Sequence, residues 1–274
     1  MSPQDDAALA RAAALLRTAD GVLVGAGAGI GVDSGLPDFR GDDGFWRAYP
    51  PLAAAGIRFV EIANPRSFDT NPALAWGFYG HRLALYRVTT PHAGFAVLRD
   101  LDARLRHGVF VFTSNVDGQF QRAGFGDDRV VECHGSIHHL QCTRPCGDAI
   151  WPADAVAPVV DPASCLMAPP LPRCPRCGAL ARPNILMFGD DRWLDTRTAA
   201  QYARFGHWLD AVDNLVVIEI GAGTDVPTVR RMCEARGAPL VRINPRAPQV
   251  ASGNGVGVRL GAREALLALR ALLE

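Results

Sequence analysis

The run Gly21-Val22-Leu23-Val24-Gly25-Ala26-Gly27-Ala28-Gly29-Ile30-Gly31 decides how the rest of the chain is read. Its first half is short and continuously apolar, the mark of a strand buried on both faces. Its second half puts glycine at every other position, which lets backbone amides approach a pyrophosphate at the start of the element that follows. Taken alone, the same turn also suits close packing between a strand and a helix, so the surrounding sequence has to arbitrate.

Working outward, comparable apolar runs occur at Val109–Thr113, Arg129–Cys133, Leu215–Ile220 (followed by Gly221-Ala222-Gly223) and Leu240–Asn244. Helical patterns lie at residues 5–19, between His92 and Arg106, and at 262–273, where Leu266, Leu269, Leu272 and Leu273 form the apolar side. Short apolar strands alternating with helices predict an α/β fold, a Rossmann-like parallel sheet with helices on both faces. Two excursions interrupt it. Residues 41–91 are rich in aromatics and prolines, with helical stretches near 51–62 and 72–88; residues 138–181 carry paired cysteines and many prolines. The expected division is a large domain of residues 1–40, 92–137 and 182–274, and a small domain of residues 41–91 (helical) and 138–181 (metal-binding). A dehydrogenase would need an acidic residue at the end of a second strand about 20 residues beyond the glycine turn. That zone reads Gly41-Asp42-Asp43-Gly44-Phe45-Trp46 and is not a strand.

The chain of 274 residues fits one large domain carrying a smaller insertion. Basic and acidic residues balance at 28 each, which argues against a nucleic-acid binder. Met1–Asp6 has neither a basic nor an apolar leader region. The most apolar stretch, Leu215–Ile220, is too short to span a bilayer. A soluble, cytoplasmic protein with no membrane partner is expected, a monomer or weak oligomer. Cysteines stay reduced in that compartment, so paired cysteines read as metal ligands before disulfides.

Cys142-Thr-Arg-Pro-Cys146 and Cys174-Pro-Arg-Cys177 are two short knuckles, with Pro145, Gly147, Pro175 and Gly178 suited to tight turns. Two thiolates on each of two turns can close a tetrahedral zinc site, and four sulfurs leave no open coordination position, so the zinc is expected to be structural. Cys133, Cys165 and Cys233 remain, and read as small buried residues.

Gly27-Ala28-Gly29-Ile30-Gly31-Val32-Asp33-Ser34-Gly35-Leu36-Pro37-Asp38-Phe39-Arg40-Gly41 closely resembles the first NAD-binding motif of sirtuins. Thr113-Ser114-Asn115-Val116-Asp117-Gly118 is similar to the second, and Glu132-Cys133-His134-Gly135-Ser136 to the segment with the catalytic histidine. The zinc knuckles follow in the family's order. Arg182-Pro183-Asn184-Ile185-Leu186-Met187-Phe188-Gly189-Asp190 resembles the substrate-binding strand and loop. The resemblance covers nearly the whole chain, in order.

It implies an enzyme that uses NAD as co-substrate to remove acyl groups from lysine side chains of proteins or peptides, giving nicotinamide, O-acyl-ADP-ribose and free lysine. By resemblance, the cofactor lies along Gly27, Ala28, Gly29, Asp38, Phe39, Arg40 and Ser114, with Asn115 and Asp117 holding the nicotinamide ribose and carboxamide. Gly221, Ala222, Gly223 and Asn244 fall on the adenosine side. His134 fits the base that activates a ribose hydroxyl, since imidazole titrates near working pH. Met187, Phe188 and Gly189 would contact the acylated peptide.

Tyr79 and Arg82 are three apart in Trp76-Gly77-Phe78-Tyr79-Gly80-His81-Arg82 and share a helix face. The desuccinylase branch of sirtuins has a Tyr-x-x-Arg pair here, which implies a clamp for acidic acyl groups such as succinyl and malonyl. Departures cluster at ligand contacts: Gly31 for a usual Ser, Ser114 for Gln, Asp190 for Glu. Thr113-Ser114-Asn115-Val116-Asp117 and the doubled glycine loop are also similar to macrodomain-linked sirtuins, which transfer ADP-ribose to protein and lack the histidine. Protein ADP-ribosyl transfer is therefore the alternative activity.

Overall fold

The computed structural model describes residues 2–38, 41–144, 146–251 and 253–274, with the backbone alone at 41–43. Eleven strands are seen among these residues: β1 (Gly21–Ala26), β2 (Val109–Thr113), β3 (Val130–Glu132), β4 (Gly135–Cys142), β5 (Ile150–Pro152), β6 (Val160–Asp161), β7 (Leu166–Met167), β8 (Ala181–Ile185), β9 (Leu215–Ile220), β10 (Leu240–Ile243) and β11 (Gly255–Val258).

Six of them form one parallel sheet in the order β11-β10-β9-β1-β2-β3. The chain starts in the middle, builds one way through β2 and β3, then returns to build the other way through β9, β10 and β11. The strand order therefore reverses between β1 and β9, and open α/β sheets bind ligands at the carboxyl ends of the strands at such a reversal. β1 is apolar throughout, and β9 is so apart from the buried Glu219, because both faces are covered. Val22, Val24, Val109, Val111, Ile218 and Val241 point into one core with helices Pro3–Arg17, Ala93–Arg104 and Ala262–Leu273. The alternate residues Leu23, Phe110, Phe112 and Val217 point into the other, with Phe205 and Trp208 of helix Thr196–Ala211 and with Val229 and Cys233 of helix Thr228–Glu234. This is the two-residue period of a pleated strand.

Local chemistry sets the helix starts. Ser2 and Asp5 form a reciprocal capping box, so the first helix begins at Pro3. His92 Nδ1 accepts from Gly94 N at 3.0 Å and its Nε2 lies 2.9 Å from the Ile30 carbonyl, which ties helix Ala93–Arg104 to the glycine turn.

The second lobe combines helices Gly41–Ala48, Pro50–Ala54, Phe59–Ile62, Arg66–Thr70 and Pro72–Val88 with an antiparallel sheet β5-β4-β8 and the hairpin β6–β7. Trp76, Phe78, Phe45 and Phe68 centre its own apolar core. The Trp76 indole donates to the Ala181 carbonyl at 2.8 Å, joining the long helix to β8.

Several expectations need correction. The helical stretch near 51–62 is two short helices with a break at residues 55–58. Leu272, expected on the apolar side of the last helix, is 39% exposed; Ala262, Ala265, Leu266 and Leu269 make the contact face. Strand β11 and the antiparallel sheet were not expected from the sequence pattern.

Candidate functional site

The carboxyl ends of β1, β2 and β9 open onto a cavity of about 620 Å³ between the two lobes. The glycine turn forms its floor. Gly29 N donates to the Gly221 carbonyl at 3.0 Å. A Cβ on Gly221 would sit 2.4 Å from Ile30 N, and its backbone is left-handed at φ +62°. The two loops therefore interlock only with glycine there. Gly27 and Ala28 face the cavity, whereas Gly29 and Gly221 sit behind it as the interlock, and Ala222 accepts a hydrogen bond from Asn244 Nδ2 at 3.1 Å. Gly223 and Asn244 line the far wall with Thr224, Asp225 and Arg246. Asp38 lines the near wall; Phe39 and Arg40 lie outside the described residues.

The loop after β2 brings Ser114, Asn115 and Asp117 to the cavity. Thr113 Oγ1 donates to the Ala26 carbonyl (3.0 Å) and accepts from Asn115 N (3.0 Å), while Asn115 Nδ2 donates to the Gly27 carbonyl (3.1 Å). These bonds fix the Asn115 side chain against the glycine turn. Asp117 is buried and accepts from Gln119 N at 2.9 Å. Burial raises its carboxyl from the usual 3.8 to about 6; Glu132 pushes the same way, and the Gln119 N–H and Arg82 oppose it.

His134 sits between β3 and β4 and lines the same cavity. Burial lowers its imidazole pKa, and a hydrogen bond to the Ser114 backbone works against that shift. The ring is thus neutral near pH 7 and can accept a proton. Gly135 lets β4 start beside it: its φ is +77°, and a Cβ there would lie 2.1 Å from the Asn184 carbonyl.

At the end of β8, residues Ile185 to Phe188 form a wall of the cavity, and Gly189 follows at φ +64°. The Leu186 and Phe188 amides donate to the carbonyls of His134 and Ala63, both at 2.9 Å. A buried ion pair anchors this segment from beneath. Arg182 meets Asp190 through Nη1 (2.6 Å) and Nη2 (2.9 Å), and Asp190 also accepts from the Met187 (3.3 Å) and Arg192 (3.1 Å) amides.

Opposite this wall, helix Pro72–Val88 offers Tyr79, Arg82 and Tyr86. The guanidinium carbon of Arg82 lies 5.2, 5.9 and 5.4 Å from the ring centres of Phe78, Tyr79 and Tyr86. Burial raises the pKa of both Tyr79 and Tyr86, so each phenol stays a neutral donor. A cation set among these rings, with the Tyr86 hydroxyl on its Nε at 2.9 Å, is suited to a carboxylate. Of these three, Tyr86 was missed in the sequence, where Leu83-Ala84-Leu85-Tyr86 reads as ordinary helix core.

At the far end of β4 from His134, the Sγ atoms of Cys142, Cys146, Cys174 and Cys177 lie within 4.8 Å of one another, two of the pairs at 3.6 Å. A tetrahedron with zinc–sulfur bonds of about 2.3 Å has edges of about 3.8 Å, so the four sulfurs fit a zinc ion. Among the described residues this is the one group of His, Cys, Asp or Glu side chains arranged for a metal. Cys133, Cys165 and Cys233 are buried apart from it, with thiol pKa values pushed up by burial.

The chain is 30% identical over 220 residues to an NAD-dependent protein deacylase of Aquifex aeolicus, covering 80% of this chain and 81% of that one. It is 35% identical over 236 residues to NAD-dependent protein deacylase 2 of Pyrobaculum aerophilum, covering 84% and 82%. It is also 32% identical over 192 residues to the mitochondrial NAD-dependent protein deacylase sirtuin-5 of Canis lupus familiaris, covering 65% and 58%. Among solved structures, a Sir2 homologue–NAD complex superimposes with a TM-score of 0.67 at 26% identity, covering 94% of this chain and 93% of that one. The Sir2 family model matches residues 27–226, and with a reversed parallel sheet, an interlobe cavity and a four-cysteine cluster already in place, the chain belongs to the Sir2 family.

Proposed function

We propose that the chain is an NAD-dependent lysine deacylase, acting on acylated lysines of proteins or peptides and preferring acyl groups that end in a carboxylate. The observation that carries this is the convergence of Asn115, Asp117 and His134 with Tyr79 and Arg82 on one cavity at the sheet's reversal point. NAD supplies an anomeric carbon with nicotinamide as leaving group. The acyl-lysine carbonyl oxygen bonds to that carbon as the bond to nicotinamide breaks, leaving a cationic imidate. Asn115, held against the Gly27 carbonyl, orients the ribose. Asp117, ionised above about pH 6, supports the developing positive charge. His134 takes the proton of a ribose hydroxyl, whose oxygen then attacks the imidate carbon. Water completes the release of O-acyl-ADP-ribose and the free amine.

Gly27, Ala28, Asp38, Ser114, Gly223 and Asn244 are assigned to the dinucleotide, with Gly29, Gly221 and Ala222 shaping the interlocked loops behind them and Phe39 and Arg40 following Asp38 in the chain. Met187, Phe188 and Gly189 are assigned to the peptide. Cys142, Cys146, Cys174 and Cys177 hold a structural zinc. The larger lobe carries the dinucleotide and the smaller one closes over it. Among the described residues no helix is long and apolar enough to cross a membrane; a four-thiolate cluster needs reduced cysteines, which supports a cytoplasmic location.

The test is nicotinamide release from NAD with acetyl-, malonyl- and succinyl-lysine peptides, with product masses. Acyl-dependent release lost in His134→Ala is expected. Label from NAD retained on protein and unaffected by His134→Ala would instead favour ADP-ribosyl transfer. Tyr79→Phe with Arg82→Met is expected to lower succinyl and malonyl removal far more than acetyl removal.

A further inference from the structure

Helix Pro72–Val88 presents more to the cavity than the Tyr79–Arg82 pair. Tyr86 lies four residues beyond Arg82 and so shares its face; it lines the cavity beside Tyr79 and Arg82. Its hydroxyl accepts a hydrogen bond from Arg82 Nε at 2.9 Å. Its ring stands 5.4 Å from the guanidinium carbon. We infer that Tyr86 is a positioning and specificity-determining residue for acidic acyl groups, fixing which edge of the Arg82 guanidinium a substrate carboxylate can meet. This rests on the acidic-acyl reading above.

The argument is geometric. A guanidinium can form a two-bond fork with a carboxylate through Nη1 and Nη2, or through Nε and the adjacent Nη. With Nε committed to Tyr86, the second mode is closed, and a carboxylate can be forked only across Nη1 and Nη2. Rotation about the terminal side-chain bonds of Arg82 is restrained by the same bond, so less freedom is lost when the ligand arrives. Because the Tyr86 oxygen accepts from Arg82, its own proton stays available to donate, and burial keeps that proton on the phenol.

Tyr86 is itself held from behind. Its carbonyl accepts from Gln119 Nε2 at 3.4 Å, and the Gln119 amide donates to Asp117 at 2.9 Å. The residue that sets the Arg82 edge is thereby tied to the loop carrying Asp117, so the distal end of the acyl group and the reacting end are referenced to one frame. A tyrosine needed only to fill core volume has no reason to direct its hydroxyl at the cation on the cavity wall; phenylalanine would fill the same space.

The experiment compares kcat and KM of the full-length protein and its Tyr86→Phe variant on succinyl-, malonyl- and acetyl-lysine peptides. The expected result is a loss of about tenfold or more in kcat/KM on succinyl and malonyl peptides beyond any loss on acetyl peptide, as for a hydrogen bond to a charged group, appearing mainly in KM. In an Arg82→Met background the same Tyr86→Phe change is expected to add less than about twofold, since its effect runs through Arg82. Equal losses on all three peptides, or an undiminished loss in the Arg82→Met background, would overturn the role of Tyr86 while leaving the acidic-acyl reading standing. A wild-type enzyme with no preference for acidic acyl groups would overturn both. Circular dichroism and the melting midpoint of Tyr86→Phe confirm that the comparison is between folded proteins.

Discussion

The ion pair beneath the cavity wall of Ile185 to Phe188 sets a quantitative test. The side chains of Arg182 and Asp190 are 1% and 0% exposed, and Asp190 accepts four hydrogen bonds: two from Arg182 and one each from the Met187 and Arg192 amides. Asp190→Ala leaves a buried guanidinium without its counter-charge, which costs about 3–5 kcal/mol. At about 2–4 °C per kcal/mol for a chain of this size, the melting midpoint should fall by roughly 6–20 °C. The wall carrying Leu186 to Phe188 loses its anchor at the same time, so KM for acylated peptide should rise more than KM for NAD. Replacing both partners, as in Arg182→Met with Asp190→Ala, removes the stranded charge and should be less damaging than either single change. Urea unfolding of the four proteins, followed by circular dichroism with zinc present, closes the cycle. The reasoning is refuted if Asp190→Ala unfolds within about 0.5 kcal/mol of wild type, or if the double variant shows the plain sum of the two single losses.

Two further outcomes are expected. The folded Asp117 carboxyl, raised by burial to about 6, holds its proton more tightly than the unfolded chain does, so its contribution to stability is full below about pH 4 and is lost as pH rises through 6. Asp117→Asn should therefore raise the melting midpoint at pH 7.5, with the gain shrinking toward pH 4, while acyl-dependent nicotinamide release collapses; a midpoint change of the same size at both pH values would contradict this. The protein should carry one tightly bound zinc per chain by elemental analysis, and a strong chelator should make residues 143–180 protease-sensitive while the parallel sheet persists; a chelated, metal-free protein that resists protease there and stays active would count against the assignment.

How much of this was legible in the sequence depended on which forces act locally. Strands β1, β2, β3, β9 and β10 announce themselves because burial on both faces demands largely apolar runs, broken here only by Glu132, Glu219 and Arg242 among charged residues. Strand β11, Gly255-Val256-Gly257-Val258, is half glycine and gains its conformation from pairing with β10. Strand β4 reads Gly-Ser-Ile-His-His-Leu-Gln-Cys, too polar for a core strand on pattern alone, and β8 contains Pro183, which ordinarily demotes a strand. Their pairing is sustained by contacts no local window holds, such as Asn184 Nδ2 to Gln141 Oε1 at 2.9 Å, between two fully buried side chains. The site was readable where chemistry is written in short motifs, at residues 27–29, 114–117 and 134. Thr224, Asp225 and Arg246 carry no such signal; only the fold brings their loops to the cavity.

The metal cluster and His134 lie at opposite ends of β4, which pairs from Gly135↔Ile185 to Cys142↔Ala181. An ion at the far end of this strand pair, saturated by four sulfurs, influences turnover only through the stiffness of the two strands between them. Exchange for another tetrahedral thiophilic ion should thus be electronically silent at the sugar. Cobalt(II), whose visible absorption reports the symmetry of its ligand field, could serve as a built-in gauge of how those strands respond when NAD and peptide enter.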